Sequence, residues 1–323
     1  MEIFDSYDFR DARLLFDGRK VNPLLDFETD CSKASSQLAQ AMHRISVSGV
    51  QEKFPAIVDK GRIRLTKEGE QSTHILKPAP WDETLQNRRL IPINENLTMQ
   101  IASQAYKIRT AANGLCFAGA KRRPVYITRR FDILSDHSKM PMEDFASVLG
   151  RNEDNGGEYF KYTGCYADIA AAIRKNVAAW MVDMERFFEL VVFNYIYANG
   201  DAHLKNFSLI LDGEDYRLAP AYDLLNTSLH VTSDDFALEG GLSRDMPKSD
   251  IYSATGHPCR CDFEAFGQLT GLNSVRIKKI LDKYMSIPDA ALNLIKTSLL
   301  DDKSKRRYFR IISERTARFN RLK

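Results

Sequence analysis

The chain has few cysteines, and their spacing forms no framework. Its 323 residues include five of them, at Cys31, Cys116, Cys165, Cys259 and Cys261. An odd and scattered set does not fit a small secreted domain held together by disulfides. Only HPCRC, which begins at His257, brings metal-binding residue types together. A structural zinc site needs a further pair of ligands, so we expect ordinary buried or loop cysteines.

Long hydrophobic runs are also absent. The most apolar stretch, FFELVVFNYIYANG, is interrupted by Glu189 and Asn194, and it is too short and too polar to span a bilayer. The N-terminal sequence MEIFDSYDFRDARLLF contains acidic residues and no uninterrupted apolar segment, which argues against a secretory signal. We therefore expect a cytoplasmic protein without a membrane partner.

The chain has no strong charge excess of either sign. Its 46 basic and 43 acidic residues leave a net charge of +3, so direct nucleic-acid binding over a broad surface is not expected. A partner contact through the basic C-terminal segment KSKRRYFRIISERTARF stays open. With 44% hydrophobic residues the chain can form one large domain or two lobes.

The first part of the chain is rich in predicted strands. FPAIV, RIRLT, THILK and PVYITRRF are short apolar or β-branched runs. Among them lies NENLTMQIASQAYKI, where Leu97, Ile101 and Ala105 recur every four residues and predict a helix that opens after Pro92.

Helical patterns dominate the second part. They are ADIAAAIRKNVAAW, MERFFELVVFNYIYA, FEAFGQL, SVRIKKILDKYM and the basic tail segment. One hairpin, FSLILDGEDYRLA, interrupts them with a turn at Asp212-Gly213. The sequence thus predicts an α+β fold of two lobes, a strand-rich N-lobe over 1–133 and a mainly helical C-lobe over 134–323. A ligand-binding cleft is expected between such lobes.

Polar residues follow the most apolar helical pattern, in NGDAHLKNF. Asp201 and Asn206 are five positions apart on the predicted loop between that helix and the hairpin. This spacing suits a carboxylate that orients a hydroxyl group and an amide oxygen that binds Mg²⁺. The hairpin brings Asp223 back towards Asn206 as a second oxygen ligand.

A nucleotide's phosphates also need a cation from the other lobe. Lys77 ends the strand-like THILK, and Glu95, expected in the first turn of the next helix, can hold it. A strand lysine, a helix glutamate, a loop aspartate and asparagine and a metal-binding aspartate occur here in the order that protein kinases use. Taken singly, each residue has an ordinary structural explanation, such as a helix-terminus charge or a turn cap.

Several motifs together give the chain a family resemblance. ISVSGVQEKF, HILKP, NENLTMQIA, YITRRFD, EDFASVLG, NGDAHLKNFSLI and LAPAYDLL resemble the HipA-like serine/threonine kinases over about residues 45–230. The founder of that family is the toxin of a bacterial toxin–antitoxin pair. The resemblance implies a two-lobed protein-kinase-like fold, ATP and Mg²⁺ as cofactors, and a bacterial cytoplasmic kinase, with secretion into a host left open. It also implies an aminoacyl-tRNA synthetase or another protein as the target.

The resemblance assigns roles to individual residues. Asp201 would be the catalytic base, Asn206 and Asp223 the Mg²⁺ ligands, and Lys77, held by Glu95, the contact to ATP phosphates. Two further residues of the same loop are catalytic candidates with supporting roles. His203 is expected to brace the loop rather than to transfer protons, and Lys205 to steady the transferred phosphate.

Other nucleotide contacts are implied on the N-lobe side. Arg129 and Phe131 would lie at the hinge that meets adenine. The loop that covers the phosphates would include Val47, Ser48, Gly49, Val50 and Gln51. Ser46 and Ser48 match the autophosphorylation positions of the family, where a phosphate would repel the nucleotide and inhibit the enzyme.

The chain departs from the family pattern in two places. About 45 residues precede the phosphate-covering loop, where the family usually has roughly a hundred more. We expect the N-terminal subdomain to be absent or supplied by a separate small protein, beside an antitoxin partner. Ala146-Ser147 replaces the usual Cys-Gln, and Ser147 is shorter than the glutamine that can approach the nucleotide in the family.

Two other functional classes stay open. Enzymes that phosphorylate small hydroxyl compounds share the spacing of Asp201 and Asn206, although the SVSGVQEK loop argues against them. A regulator that binds nucleotide without turnover would have no chemical need for Asp201, Asn206 and Asp223 together.

Overall fold

A six-stranded sheet forms the first part of the fold. The computed structural model describes residues 7, 9–29, 52–82 and 85–321. The sheet strands are β1 (Leu24–Leu25), β2 (Phe54–Asp59), β3 (Arg62–Leu65), β4 (His74–Lys77), β5 (Asn113–Ala118) and β6 (Arg123–Arg129). Their spatial order is β1-β5-β6-β4-β2-β3. The four strand runs predicted for this region coincide with β2, β3, β4 and β6, whereas β1 and β5 are not among the predicted strands.

The two faces of this sheet contact different cores. Val125 and Ile127 of β6 join Leu76 and the helix α1 (Phe9–Phe16) in one apolar cluster. Tyr126, between them in sequence, belongs to the larger core of the helical part. Side chains alternate along a strand, so Lys77, which pairs with Tyr126 across the sheet, lies on the inner face with it.

Helix α2 (Ile91–Gln104) connects β4 to β5 across this inner face. It begins one residue before Pro92 rather than after it. Proline is tolerated in a first helical turn because its missing N–H would have no partner there. Glu95 is therefore the fifth residue of the helix, and the prediction that it lies in the first turn was wrong.

The second part of the fold is mainly helical around a small sheet. Three antiparallel strands, β7 (Met142–Asp144), β8 (Ser208–Asp212) and β9 (Asp215–Leu218), pair in that order. The helices are α3 (Phe145–Val148), α4 (Glu153–Gly156), α5 (Tyr166–Asn176), α6 (Trp180–Ile196), α7 (Asp250–Thr255), α8 (Arg260–Leu269), α9 (Ser274–Asp282), α10 (Asp289–Thr297) and α11 (Asp302–Phe319). The predicted α+β class is confirmed.

Helix α6 lies at the centre of the larger core. Phe187, Phe188, Val192 and Phe193 on this helix are buried, which fixes the point from which the following loop leaves. The helix predicted over 167–180 is two helices, because Val177 adopts an extended conformation that ends α5. The predicted hairpin turn is confirmed, and Gly213 takes the positive φ of 69° that favours glycine there.

The basic tail segment forms α11 and packs by one face. Tyr308, Ile312 and Phe319 are buried against the larger core, and Arg315 forms a buried ion pair with Asp235. Within the described part of the chain, no helix combines the length and apolar character that a membrane crossing requires.

Candidate active site

The loop after α6 is held tightly at its start. Ala198 has a positive φ of 53°, and Thr227 donates its hydroxyl to the Ala198 carbonyl over 3.0 Å. The same hydroxyl oxygen accepts from the Gly200 N–H at 2.9 Å. A Cβ on Gly200 would lie 2.6 Å from Cβ of Ser233, so only glycine fits. These contacts fix the backbone immediately before Asp201.

The rest of the loop closes on itself. Residues Leu204–Asn206 form one 3₁₀ turn, and the Asn206 side-chain oxygen accepts from the His203 N–H at 3.1 Å. The Asn206 amide nitrogen faces Asp223 Oδ2 at 3.3 Å. The structure therefore brings Asn206 and Asp223 together, as their order in the sequence predicted.

A buried lysine connects the two parts of the fold. Lys77, at the end of β4, donates to Glu95 Oε1 of α2 at 2.6 Å and to Asp223 Oδ1. The Lys77 and Glu95 side chains are 4% and 3% exposed, whereas that of Asp223 is 26% exposed. Burial alone would lower the pKa of Lys77, but the carboxylates of Asp223 and Glu95 raise it above its ordinary value. The lysine is therefore a permanent cation at neutral pH.

Two lysines converge on Asp223. Lys53 Nζ lies 3.5 Å from Asp223 Oδ2, opposite the oxygen that Lys77 contacts. Burial favours a higher pKa for the Asp223 carboxyl, but Lys53 and Lys77 outweigh it and hold that pKa well below the ordinary value. Burial raises the pKa of Glu95, although Lys77 opposes this. Asp223 also has a positive φ of 55°, a backbone conformation that few non-glycine residues adopt.

Asn206 and Asp223 suit a hard cation such as Mg²⁺. The pair offers a carboxylate and an amide, the oxygen donors that Mg²⁺ prefers, and the Asp223 carboxyl stays ionised. The amide presents its nitrogen to Asp223, while its oxygen accepts from the His203 N–H and keeps a second lone pair for a metal ion. A bound Mg²⁺ would neutralise charge on the phosphates that Lys77 and Lys53 can contact.

His203 is a buried and neutral part of the loop. Burial lowers its pKa from the ordinary 6.5 to about 4, although Asp201 opposes this. Its Nδ1 atom is buried and has no hydrogen-bond partner among the described residues. Its backbone N–H holds Asn206, which is a contact of the kind expected from a residue that braces the loop.

Lys205 projects beside the same turn. Its Nζ atom lies 5.9 Å from the centre of the Phe160 ring, within range of a cation–π contact. The Lys205 carbonyl accepts from the hydroxyl of Tyr222 at 2.9 Å, which ties the turn to the residue preceding Asp223.

The side chains of the two predicted hinge residues, Arg129 and Phe131, point to different parts of the structure. The Arg129 side chain, at the end of β6, pairs with Asp17 after α1, on the outer side of the sheet. The Phe131 ring lies 5.8 Å from the ring of Tyr222, next to Asp223. The Arg129 side chain thus points away from Asp223, whereas the Phe131 ring lies on the side of the candidate site.

Part of the predicted nucleotide site lies outside the described residues. This applies to Ser46, Val47, Ser48, Gly49, Val50 and Gln51. Lys53, two residues further on, is described and contacts Asp223.

Sequence reasoning missed two residues of the site. Lys53 is the last letter of the quoted SVSGVQEK motif and could have been found from its position beside the phosphate-covering loop. Tyr162 donates its hydroxyl to Asp201 Oδ1 at 2.8 Å. It lies 39 positions before Asp201, and no spacing rule connects the two.

Cys259 and Cys261 belong to a cluster that is separate from the candidate active site. Among the described residues, Cys259, Cys261 and Asp262 are the one group of three metal-binding residue types close together. The Asp262 carboxylate accepts from the Ser249 N–H at 2.9 Å and from the Cys259 N–H at 2.9 Å. His257 bonds to Asp235 instead. The bond from Cys259 forms part of a capping box at the start of α8, and the bond from Ser249 joins α8 to the residue that caps α7.

The chain is similar in sequence to a known protein family and to two named proteins. Residues 45–292 match the family described as HipA-like C-terminal domain. A Sinorhizobium fredii protein named "Putative kinase Y4mE" is 32% identical over 57% of this chain and 43% of its own length. A Haemophilus influenzae protein named "Putative kinase" is 24% identical over 88% of this chain and 84% of its own. The chain thus spans less than half of the first relative.

A solved structure has a similar fold. The Shewanella oneidensis toxin–antitoxin protein HipA, determined with HipB and operator DNA, superposes with a TM-score of 0.65. The match covers 85% of this chain and 65% of that one at 19% identity. Identity this low shows the fold alone, which is two-lobed and protein-kinase-like, as predicted.

The buried His203 generates a prediction about pH. Between its ordinary pKa of 6.5 and its lowered pKa of about 4, the unfolded chain binds a proton that the folded chain does not. The contribution of His203 to stability is therefore lost progressively as pH falls through this window, by on the order of 3 kcal/mol at most. His203→Gln should flatten the fall in unfolding free energy between pH 6.5 and 4, measured by urea titration.

The exposed His137 provides the control. His137→Gln should leave the pH dependence as in the wild type. Equal slopes for His203→Gln and wild type would contradict the buried, neutral state of His203.

Proposed function

Because the chain belongs to the HipA-like C-terminal domain family, we propose that it is a Mg-ATP-dependent serine/threonine protein kinase. The observation that carries the proposal is the position of Lys77, which contacts Glu95 and Asp223 at once. Protein kinases require an ion pair between the strand lysine and the helix glutamate, with the metal-binding aspartate close to it, for phosphoryl transfer. Both sequence relatives carry the word kinase in their names, which supports the same class of reaction.

In the proposed reaction, Asp201 orients the hydroxyl group of the acceptor. The acceptor oxygen forms a bond to the γ-phosphorus of ATP, and the bond between that phosphorus and the β,γ-bridging oxygen breaks. ADP leaves, and the acceptor proton passes to the Asp201 carboxylate. Asp201 suits this role because it is exposed to an acceptor while the backbone of its loop is held rigidly.

The remaining residues of the site would bind the nucleotide. Asn206 and Asp223 would hold Mg²⁺, and Lys77 would contact the phosphates, with Lys53 as an additional cation. Phe131, in contact with Tyr222, would border the adenine. Lys205 would steady the transferred phosphate from the acceptor side.

Self-phosphorylation is the regulatory part of the proposal. Ser46 and Ser48 lie a few residues before Lys53 in sequence. A phosphate there would add about two negative charges close to the nucleotide phosphates and reduce ATP binding. Phosphorylation of Ser46 or Ser48 should therefore inhibit the kinase.

The protein target and partners follow from the family resemblance. We propose that the chain acts as a growth-arresting toxin whose target is an aminoacyl-tRNA synthetase. An antitoxin partner is proposed by analogy with the HipA structure that contains HipB.

Incubation with γ-labelled ATP and Mg²⁺ tests the proposed activity. The wild type should label itself on serine or threonine, and mass spectrometry should locate phosphate at Ser46 or Ser48. Asp201→Asn should reduce labelling by at least 100-fold, because it removes the general base. Asp212→Asn is the matched control, since Asp212 is an exposed aspartate at the end of β8. Full labelling by Asp201→Asn would refute the assigned mechanism.

The proposed target predicts a difference between two phosphoproteomes. Cells that express the wild type should contain a phosphopeptide from an aminoacyl-tRNA synthetase that is missing from cells expressing Asp201→Asn. The measurement is quantitative mass spectrometry shortly after induction. If the phosphopeptides that depend on Asp201 all come from other proteins, the synthetase proposal is wrong and the kinase proposal stands.

A further inference from the structure

The segment 157–164, with the sequence GEYFKYTG, lies against the catalytic loop. Residues Phe160–Tyr162 form a 3₁₀ turn. The hydroxyl of Tyr162 donates to Asp201 Oδ1 at 2.8 Å, and Phe160 contacts Lys205. Both contacts reach residues proposed for the acceptor side of the reaction, so this segment can influence the transfer step without binding the nucleotide.

The Tyr162 ring is held on two sides. It meets the His203 ring edge-on, with centres 5.1 Å apart and planes at 78°. Lys161 Nζ lies 5.1 Å from the centre of the Tyr162 ring. These contacts restrict the ring independently of its hydroxyl group.

The backbone around Tyr162 is anchored as well. Its carbonyl accepts from the Glu239 N–H at 3.0 Å, and the Gly164 carbonyl accepts from the Gly240 N–H at 2.8 Å. Arg151 donates to Thr163 Oγ1 at 2.9 Å and to Asp168 at 3.2 Å. The hydroxyl group is therefore presented to Asp201 from a rigid support.

The two oxygens of Asp201 have different surroundings. Tyr162 occupies Oδ1, while no hydrogen bond to Oδ2 is found from the part of the chain that the structure describes. A base that binds one acceptor hydroxyl needs one free oxygen in a fixed direction. The contact at Oδ1 sets that direction.

We propose that Tyr162 is a positioning residue for Asp201, fixing one carboxylate oxygen so that the other receives the acceptor hydroxyl. This inference rests on the proposed kinase function. Burial, followed by the Asp201 charge, raises the pKa of Tyr162 well above its ordinary value, so the phenol stays a hydrogen-bond donor at any working pH. Tyr162 itself is not an acceptor of phosphate, because its oxygen is engaged with Asp201 from a fixed support.

The test uses Tyr162→Phe, which removes the hydroxyl and keeps the ring between His203 and Lys161. ADP formation from Mg-ATP is measured, since it counts transfer to any acceptor, water included. We expect kcat to fall about 10-fold, the size expected for one hydrogen bond to a charged group, with KM for ATP and Tm unchanged. Replacement of Tyr162 by p-aminophenylalanine restores an N–H donor and should recover part of kcat.

Tyr159→Phe is the matched control, because the Tyr159 side chain is 64% exposed and undergoes the same chemical change three residues away. It should keep full kcat. An unchanged kcat in Tyr162→Phe, a fall explained by a lower Tm, or phosphate found on Tyr162 in the wild type would each overturn the inference.

The wild type and Asp201→Asn together show whether the proposed function fails or only a role assigned to one residue. If the wild type forms no ADP, the proposed function fails; if Asp201→Asn keeps full ADP formation, the role assigned to Asp201 fails, and that of Tyr162 fails with it. If Asp201→Asn loses activity while Tyr162→Phe does not, only the role of Tyr162 fails.

Discussion

A single buried cation, Lys77, holds the site together. Its partners come from distant parts of the chain, Glu95 from α2 and Asp223 from the segment after β9. Burying an ion is expensive unless opposite charges and hydrogen bonds surround it. Loss of Lys77 would leave Glu95 buried beside Asp223, with Lys53 as the remaining lysine near Asp223 among the residues that the structure describes. The packing of α2 and the segment after β9 around Lys77 therefore depends on this contact.

The charge balance of this group suits the binding of a metal nucleotide. Two lysines, Lys53 and Lys77, face two carboxylates, Glu95 and Asp223. The group is thus neutral without a ligand. Mg²⁺ with a triphosphate adds both a cation for Asp223 and anions for the lysines, so both kinds of charge find partners. If the ligand were an anion without a metal ion, the negative charge of Asp223 would repel it.

The parts of the site that could be predicted from sequence are those set by chemistry and chain order. The order of Lys77, Glu95, Asp201, Asn206 and Asp223 is such a feature, and the structure brings Asn206 and Lys77 to Asp223. Most strands and long helices follow directly from periodicity. These features depend on local pattern, which a sequence displays.

Tertiary packing decides the features that could not be predicted. The extended Val177 divides one helical pattern into two helices. Strand β5, NGLCFA, has no clear alternation and is stabilised by pairing with β6 along its whole length. The contact of Tyr162 with Asp201 joins residues far apart in sequence through bonds of the 157–164 segment to residues 239 and 240. Contacts of this kind exist only once the chain has folded.

The central claim is that Mg-ATP binds between Lys77 and the Asn206–Asp223 pair, with its γ-phosphate towards Asp201. A crystal structure of the chain with Mg²⁺ and a non-hydrolysable ATP analogue tests it most directly. The account predicts a metal ion coordinated by oxygen atoms of Asn206 and Asp223, and phosphate oxygens within hydrogen-bond distance of Lys77. A nucleotide bound elsewhere, or one bound here with Lys77 still paired to Asp223 and no metal, would contradict it.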